Sequence, residues 1–287
     1  MLAGAVLWGT TGTAQALAPV GAQPLAVGAL RLAAGGVALL VVFWLGPGRA
    51  RSLPRFELPL GPTLLAAVCM AAYQVLFFAG VRLTGVAIGT IVGIGSSPVL
   101  AGLLGYFFRG ERPGWRWGAA TLLAVGGCTL LAVTGQAVQV NLLGMLLAIG
   151  AGAAYAIFSL VSKRLLECQP VEQVMAAVFG LGAVLLSPLL LTQDLTWLAN
   201  PRGIAAILHL GLFATALAYL LFGKGLRLVP LATAVTLSLA EPLTAGMLGV
   251  LLLGEKLSLQ AGLGILLILS GLVILSLPER AGNTEML

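Results

Sequence analysis

Long apolar runs alternate along the chain with brief clusters of Gly, Pro and charged residues. Ten runs stand out, at about Met1–Ala18, Pro24–Leu45, Pro62–Leu83, Val86–Phe108, Trp115–Thr134, Leu142–Leu166, Val171–Leu191, Ile204–Leu226, Leu231–Leu253 and Leu259–Leu277. Each is close to the ~20 residues that an α-helix needs to cross a bilayer core. The pattern predicts ten membrane helices joined by short connections. The longest connection, from Gly46 to Gly61, leaves no room for an extramembrane domain. A fused ATPase is excluded with it, and no GxxxxGK[ST] phosphate-binding loop occurs. The run beginning at Met1 lacks a basic leader and reads as a first membrane helix rather than a signal peptide.

Composition moves the same way. Of 287 residues, 60% are apolar and only 8% are charged, far too few charges to cover a soluble globule of this size. Disorder is excluded, because it requires low hydrophobicity and high charge. The net charge of +6 would suggest nucleic-acid binding in a soluble protein, but here the basic residues sit between apolar runs, where they encode orientation. Counted from the N-terminus, the even-numbered gaps and the C-terminal tail hold eleven Lys and Arg residues: Arg49, Arg51, Arg55, Arg109, Arg112, Arg116, Lys163, Arg164, Lys224, Arg227 and Arg280. The odd-numbered gaps hold three, Arg82, Arg202 and Lys256, while Arg31 lies inside the second run. The positive-inside rule then predicts that both termini and the even gaps are cytoplasmic.

The chain also repeats itself. Residues 98–127 match residues 242–271 at a constant offset of 144: Pro98 with Pro242, Gly102 with Gly246, Gly105 with Gly249, Gly110-Glu111-Arg112 with Gly254-Glu255-Lys256, Gly118 with Gly262, and Gly127 with Gly271. A unit of five helices is odd, so a second copy must enter the membrane from the opposite face. The predicted fold is an all-α integral membrane protein of ten transmembrane helices in two inverted five-helix repeats, residues 1–135 and 141–278, with a cytoplasmic tail at 279–287.

These features, with Leu7-Trp8-Gly9, Leu30-Arg31-Leu32, Pro98 followed by Gly110-Glu111, and Glu241-Pro242 followed by Gly254-Glu255, resemble the drug/metabolite transporter superfamily in its ten-helix EamA-type branch. The resemblance covers almost the whole chain. It implies a secondary transporter that exports small metabolites, most often amino acids, across the bacterial inner membrane by alternating access. Multidrug or organic-cation export within the same superfamily is the alternative.

The candidate chemistry is sparse. Glu241 is the one carboxylate deep inside a run, where charge burial costs at least ~2.5 kcal/mol on insertion scales. It reads as a proton-coupling or substrate-amine site, or as a structural group steadying the break at Pro242. The resemblance favours shared architecture, since Glu-Pro recurs in relatives of many substrates. Arg31 is the matching cation, able to receive a substrate carboxylate, to pair with Glu241, or to snorkel. Lys163 and Arg164 read as topology anchors, with Lys163 alternatively facing the mouth of the pathway. His209, the single histidine, serves the pathway or an interhelical hydrogen bond.

Pro98 and Pro242 each free a backbone carbonyl four residues earlier, at Ile94 and Ser238, and so predict helix breaks facing protein or a wet cavity. Ser96 and Ser97 are placed to satisfy the first of these, while Gly89, Gly93 and Ser97 form a small-residue packing stripe. Pocket candidates on matching helix faces are Trp8 with Gln15, Tyr73 with Gln74 and Phe77, Tyr155 with Ser159, Thr215 with Tyr219, and Thr236 beside Thr233 and Ser238. Trp44, Trp115, Trp117 and Trp197 sit near run ends as interface anchors.

Cys69, Cys128 and Cys168 form no CxxC or Cys/His pattern, so neither a metal nor a cofactor is expected. One histidine and no intramembrane aspartate argue against an enzyme, and no filter segment suggests a channel. The expected partners are a small-molecule substrate and the lipid bilayer, not nucleic acid, and the expected assembly is a monomer or weak homodimer.

Overall fold

A computed structural model describes residues 1–46, 58–133, 141–254 and 258–277. Within them the elements are helical: α1 (Leu2–Ala16), α2 (Pro24–Leu45), α3 (Leu60–Thr84), α4 (Val86–Arg109), α5 (Trp115–Val133), α6 (Leu142–Cys168), α7 (Val171–Leu190), a 3-10 turn (Thr196–Ala199), α8 (Pro201–Gly211), a π-helical turn (Leu212–Leu217), α9 (Ala218–Leu226), α10 (Leu231–Leu237), α11 (Ala240–Leu253) and α12 (Leu259–Ser276). α8, the π turn and α9 run on as one rod, Pro201–Leu226. Among the described residues, eight spans are long and apolar enough to cross a membrane, with α10 and α11 together making one of them (Leu231–Leu252) and α5 not among them. α1 falls short, since its 15 residues reach only about 22 Å. Arg49, Arg51, Arg55, Glu255, Lys256, Arg280 and the tail 279–287 lie outside the described residues.

The two prolines behave differently, which corrects the expectation of matching breaks. α4 continues through Pro98, and Ser96 and Ser97 donate to Gly93 O (3.2 and 2.9 Å) rather than to the Ile94 carbonyl. Gly93 is three residues before Ser96 and four before Ser97, so one carbonyl lies within reach of both hydroxyls along their own helix. The ninth run is broken, between α10 and α11, so that Pro242 occupies the first turn of α11 and not a helix middle. Tight i→i−3 bonds make the break: Ser238 N–H to Val235 O, Leu239 N–H to Thr236 O, and Glu241 N–H to Ser238 O at 2.9 Å. The last of these takes the very carbonyl that Pro242, lacking an N–H, leaves free.

Lipid offers no hydrophobic drive between helices, so close approach of small residues holds the bundle together. α6 is enclosed nearly all round from Ala151 to Leu166 and packs on α3 and α4; α2 packs on α7, α1 on α9 and α11, and α5 on α12. A Cβ built on Gly9 would lie 2.5 Å from Thr244 Cβ, and one on Gly127 would lie 2.5 Å from Gly264 O. The small-residue stripe of α4 lies against α3 and α6, with Gly89 at Val81 and Gly93 at Ala148 O.

The connections use the turn chemistry their residues supply. Gly85, at φ 84°, is the lone residue between α3 and α4. Gly110 and Gly254 end α4 and α11 in the left-handed region, at φ 66° and 71°, a conformation that suits glycine. Before α8, the Asp194 carboxylate accepts from Thr196 N–H at 2.9 Å, which holds it below the usual carboxylate range. Trp44 and Trp115 are exposed, as interface anchors should be. Trp117 and Trp197 are corrections: Trp117 donates its Nε1–H to Thr236 Oγ1 (3.0 Å) and packs on Gly102, while Trp197 is buried and donates to Asp194 O. Each indole turns inward because a partner waits there for its N–H.

Candidate functional site

At mid-depth the helices leave a cavity of about 40 Å³. Trp8 and Thr11 of α1, Arg31 of α2, Tyr73 of α3, Ile94 and Ser97 of α4 and Tyr155 of α6 line it, with Tyr219 of α9, Val235 of α10, Ser238 and Leu239 at the break, and Glu241 of α11. Water needs about 10–15 Å³ by this measure, so the cavity holds roughly three waters. It contains one basic and one acidic side chain, Arg31 and Glu241, which form no ion pair with each other.

Aromatic rings form much of the wall and its backing. Trp8 lies 4.8 Å from Tyr219, 5.4 Å from Phe222 and 6.4 Å from Tyr155, centroid to centroid. Tyr73 lies 5.8 Å from Tyr155 and stacks on Phe77 behind it. Tyr155 also hydrogen-bonds Ser238 through its hydroxyl at 3.2 Å, joining α6 to the α10–α11 break. Ile94 and Ser238, the residues four before each proline, both line the cavity.

Of the pocket candidates read from the sequence, Trp8, Tyr73, Ser97, Tyr155 and Tyr219 line this cavity, with Arg31 and Glu241. Gln15, Gln74, Phe77, Ser159, Lys163, Thr215 and Thr236 do not. Gln74, Ser159 and Thr215 are buried in helix interfaces with unpaired polar atoms. Thr236 binds Trp117 and Thr121 and back-bonds to Ala232 O. His209 meets Thr10 through Nε2 at 2.8 Å, an interhelical bond between α8 and α1, and lines a separate, largely apolar cleft with Thr13 and Arg202. Thr11, Val235 and Leu239 were missed. Thr11 was legible, being three residues after Trp8 and so on the same face of α1.

Lys163 joins a polar cluster at the end of the bundle where α4 and α6 end and α10 begins. Its Nζ lies 3.2 Å from Glu111 Oε1 and also donates to Val229 O. Glu111 accepts from Arg109 Nε at 3.0 Å and from Leu231 N–H at 2.6 Å, the first amide of α10. Arg109 continues to Glu167 at 2.7 Å, and Arg164 donates to Phe108 O at 2.9 Å. The cluster fastens the end of α4 to the end of α6 and to the start of α10. Among the described residues, no group of three or more His, Cys, Asp or Glu could hold a metal ion.

Comparison with known proteins places the chain among transporters. The model of the EamA-like transporter family matches residues 1–133 and again residues 142–277. The chain is 48% identical over 284 residues to the uncharacterized transporter YwfM of Bacillus subtilis, covering 99% of this chain and 95% of that one. It is 32% identical over 265 residues to the threonine/homoserine exporter RhtA of Escherichia coli K12, covering 90% and 83%. A crystal structure 21% identical in sequence shares the fold, with a TM-score of 0.83 and 96% of both chains covered.

Proposed function

The chain belongs to the EamA-like transporter family, and from that premise we propose that this multi-pass membrane transporter is a secondary exporter of small metabolites, chiefly amino acids. It works in the bacterial inner membrane by alternating access, with both termini in the cytoplasm. The observation that carries the reading is the central cavity, where Arg31 and Glu241 present opposite charges inside an aromatic wall. A zwitterion meets both charges while adding no net charge to the low-dielectric interior. The relative named a threonine/homoserine exporter supports amino acids as the class.

Ten spans in two inverted halves, 1–135 and 141–278, are part of the proposal. Reciprocal packing supports it. Gly127 approaches Gly264 and Ile268, while Gly271, which is Gly127 plus 144, approaches Ala120 and Ala124, which are Gly264 and Ile268 minus 144. Contacts that exchange in this way are the signature of a two-fold relation. α5 and α12 then face each other across the axis, as do α2 and α7.

The mechanism follows from the asymmetry within this frame. The Glu111–Lys163 cluster holds one end of the bundle shut, and the cavity is too small for an amino acid until the halves move. The tight turn at Ser238–Leu239 is the natural flexing point, since it joins α10, fastened by Glu111, to α11, which bears Glu241. Release of the cluster lets α10 swing and admits substrate from the cytoplasm. Re-formation closes that end as the opposite end opens. Transport is downhill or ion-coupled, with Glu241 placed to carry a proton.

The test is uptake into proteoliposomes of a panel of amino acids, sugars and organic cations. Saturable flux of threonine and related amino acids is expected. Flux of organic cations alone would favour the multidrug reading, for which the tyrosine-rich wall and Glu241 are the supporting features.

A further inference from the structure

We propose that α1 and α2 supply a carboxylate-binding pole to the cavity, in which Arg31 Nε, Trp8 Nε1 and Thr11 Oγ1 bind the substrate's carboxylate while Glu241 of α11 receives its ammonium group. The assignment rests on the export reading for its substrate, but its geometry stands on three unpaired atoms.

Those atoms are buried and have no hydrogen-bond partner, and all three residues line the one cavity. Arg31 is 9% exposed and Trp8 5%. Buried polar atoms are nearly always paired, so three orphans around one cavity require an explanation. Ser97, on the same cavity wall, satisfies itself on a carbonyl of its own helix, as Thr63, Thr84 and Thr236 do away from it, while Gln74, Ser159, Ser162 and Thr215 are further unpaired groups that line no part of this cavity. Thr10, next to Thr11, does the same on Leu7 O at 2.7 Å, whereas Thr11 does not.

The chemistry of the three is one-sided. An indole N–H and a guanidinium N–H can only donate, and a hydroxyl can donate as well as accept. Unpartnered donors on three residues that line one cavity, one of them positively charged, call for an acceptor-only group, and an ionised carboxylate is one, with two oxygens for several donors. An ammonium group finds no acceptor among these three except the hydroxyl, which leaves Glu241, the carboxylate of the same lining, to receive it. Trp8 and Thr11 are three residues apart on α1, so both turn to the same side. Because α1 packs on α9 and α11, whereas Arg31 comes from α2, the pole is assembled only when these helices come together.

The experiment compares ligand-induced thermal stabilisation of the full-length protein in detergent. The ligands are L-threonine, L-threoninamide, which lacks the carboxylate, and 2-hydroxybutyrate, which lacks the ammonium group. Wild type should be stabilised by threonine, less by hydroxybutyrate and not by the amide. Trp8→Phe and Thr11→Val keep ring and volume but lose one donor each, and should weaken threonine binding by about tenfold. Arg31→Gln should abolish it. Equal stabilisation by amide and acid, or unchanged threonine binding in Trp8→Phe and Thr11→Val, overturns the pole, as does the absence of any carboxylate-selective stabilisation at millimolar ligand. If acids stabilise in a manner that depends on all three residues, yet proteoliposomes carry no amino acid, the pole stands and the export reading fails. If amino acids are carried while amides bind equally well, the reverse holds.

Discussion

Lys163 Nζ lies 3.2 Å from Glu111 Oε1, joining the last turns of α6 to the loop that follows α4. Both side chains are largely buried, at 9% and 16% exposure. Replacing Glu111 with Gln strands the Lys163 ammonium without its counter-charge and weakens the cap on the first amide of α10. The cost to the closed arrangement is about 3 kcal/mol, roughly a hundredfold in an equilibrium. In a Cys168→Ser background, a cysteine placed at Ser238 on the cavity wall should react faster with thiol reagents when Glu111→Gln is present. Unchanged reactivity would show that the cluster is not a closing device.

The α5–α12 contact predicts a sharp contrast between neighbouring glycines. A Cβ on Gly127 meets Gly264 O at 2.5 Å and Ile268 Cγ1 at 2.7 Å, whereas one on Gly126 meets nothing within 4 Å. Gly127→Ala should lower the thermal midpoint in detergent, for a penalty of about 2 kcal/mol. Gly126→Ala should leave the midpoint unchanged. Equal effects at the two sites would remove the close helix crossing.

Glu241 shares its cavity with Arg31 of α2, Tyr73 of α3, Tyr155 of α6 and Tyr219 of α9, and among the described residues no other carboxylate lines it. A proton-carrying role predicts that Glu241→Gln, beyond weakening the binding of the substrate's ammonium group, abolishes the pH dependence of the net flux that remains. Asp194→Asn, at an exposed loop carboxylate, should change neither. Net flux of Glu241→Gln that follows pH as wild type does would take Glu241 out of coupling.

Orientation can be read from a native residue. Cys69 and Cys128 are buried, whereas Cys168 is exposed at the end of α6. A membrane-impermeant maleimide added to whole cells should therefore leave the protein unlabelled, and labelling should appear after lysis. Labelling of intact cells would place that end outside.

Much of this architecture is legible in the sequence because lipid imposes few rules. A helix must satisfy its own backbone, so run lengths anticipate the rods, as at Pro24–Leu45, where prediction and structure coincide. Cavity residues on helix faces were legible where charge or aromaticity stood out in an apolar run, as for Arg31, Glu241 and Trp8. The break at Ser238–Leu239 was less so, because identical prolines act differently: Pro98 sits within a helix packed on α6, while Pro242 follows a turn that replaces i→i−4 bonds with i→i−3 ones. Lys163 shows a further limit. A lysine at a run end looks like an anchor in one dimension, and only the tertiary fold brings Glu111, 52 positions away, beside it.

Counterflow tests the account most directly. Proteoliposomes loaded with unlabelled L-threonine and diluted into a trace of labelled L-threonine should accumulate label transiently above its external concentration, as a carrier that alternates around one central site requires. Simple equilibration with no overshoot, or no entry of label at all, would contradict it.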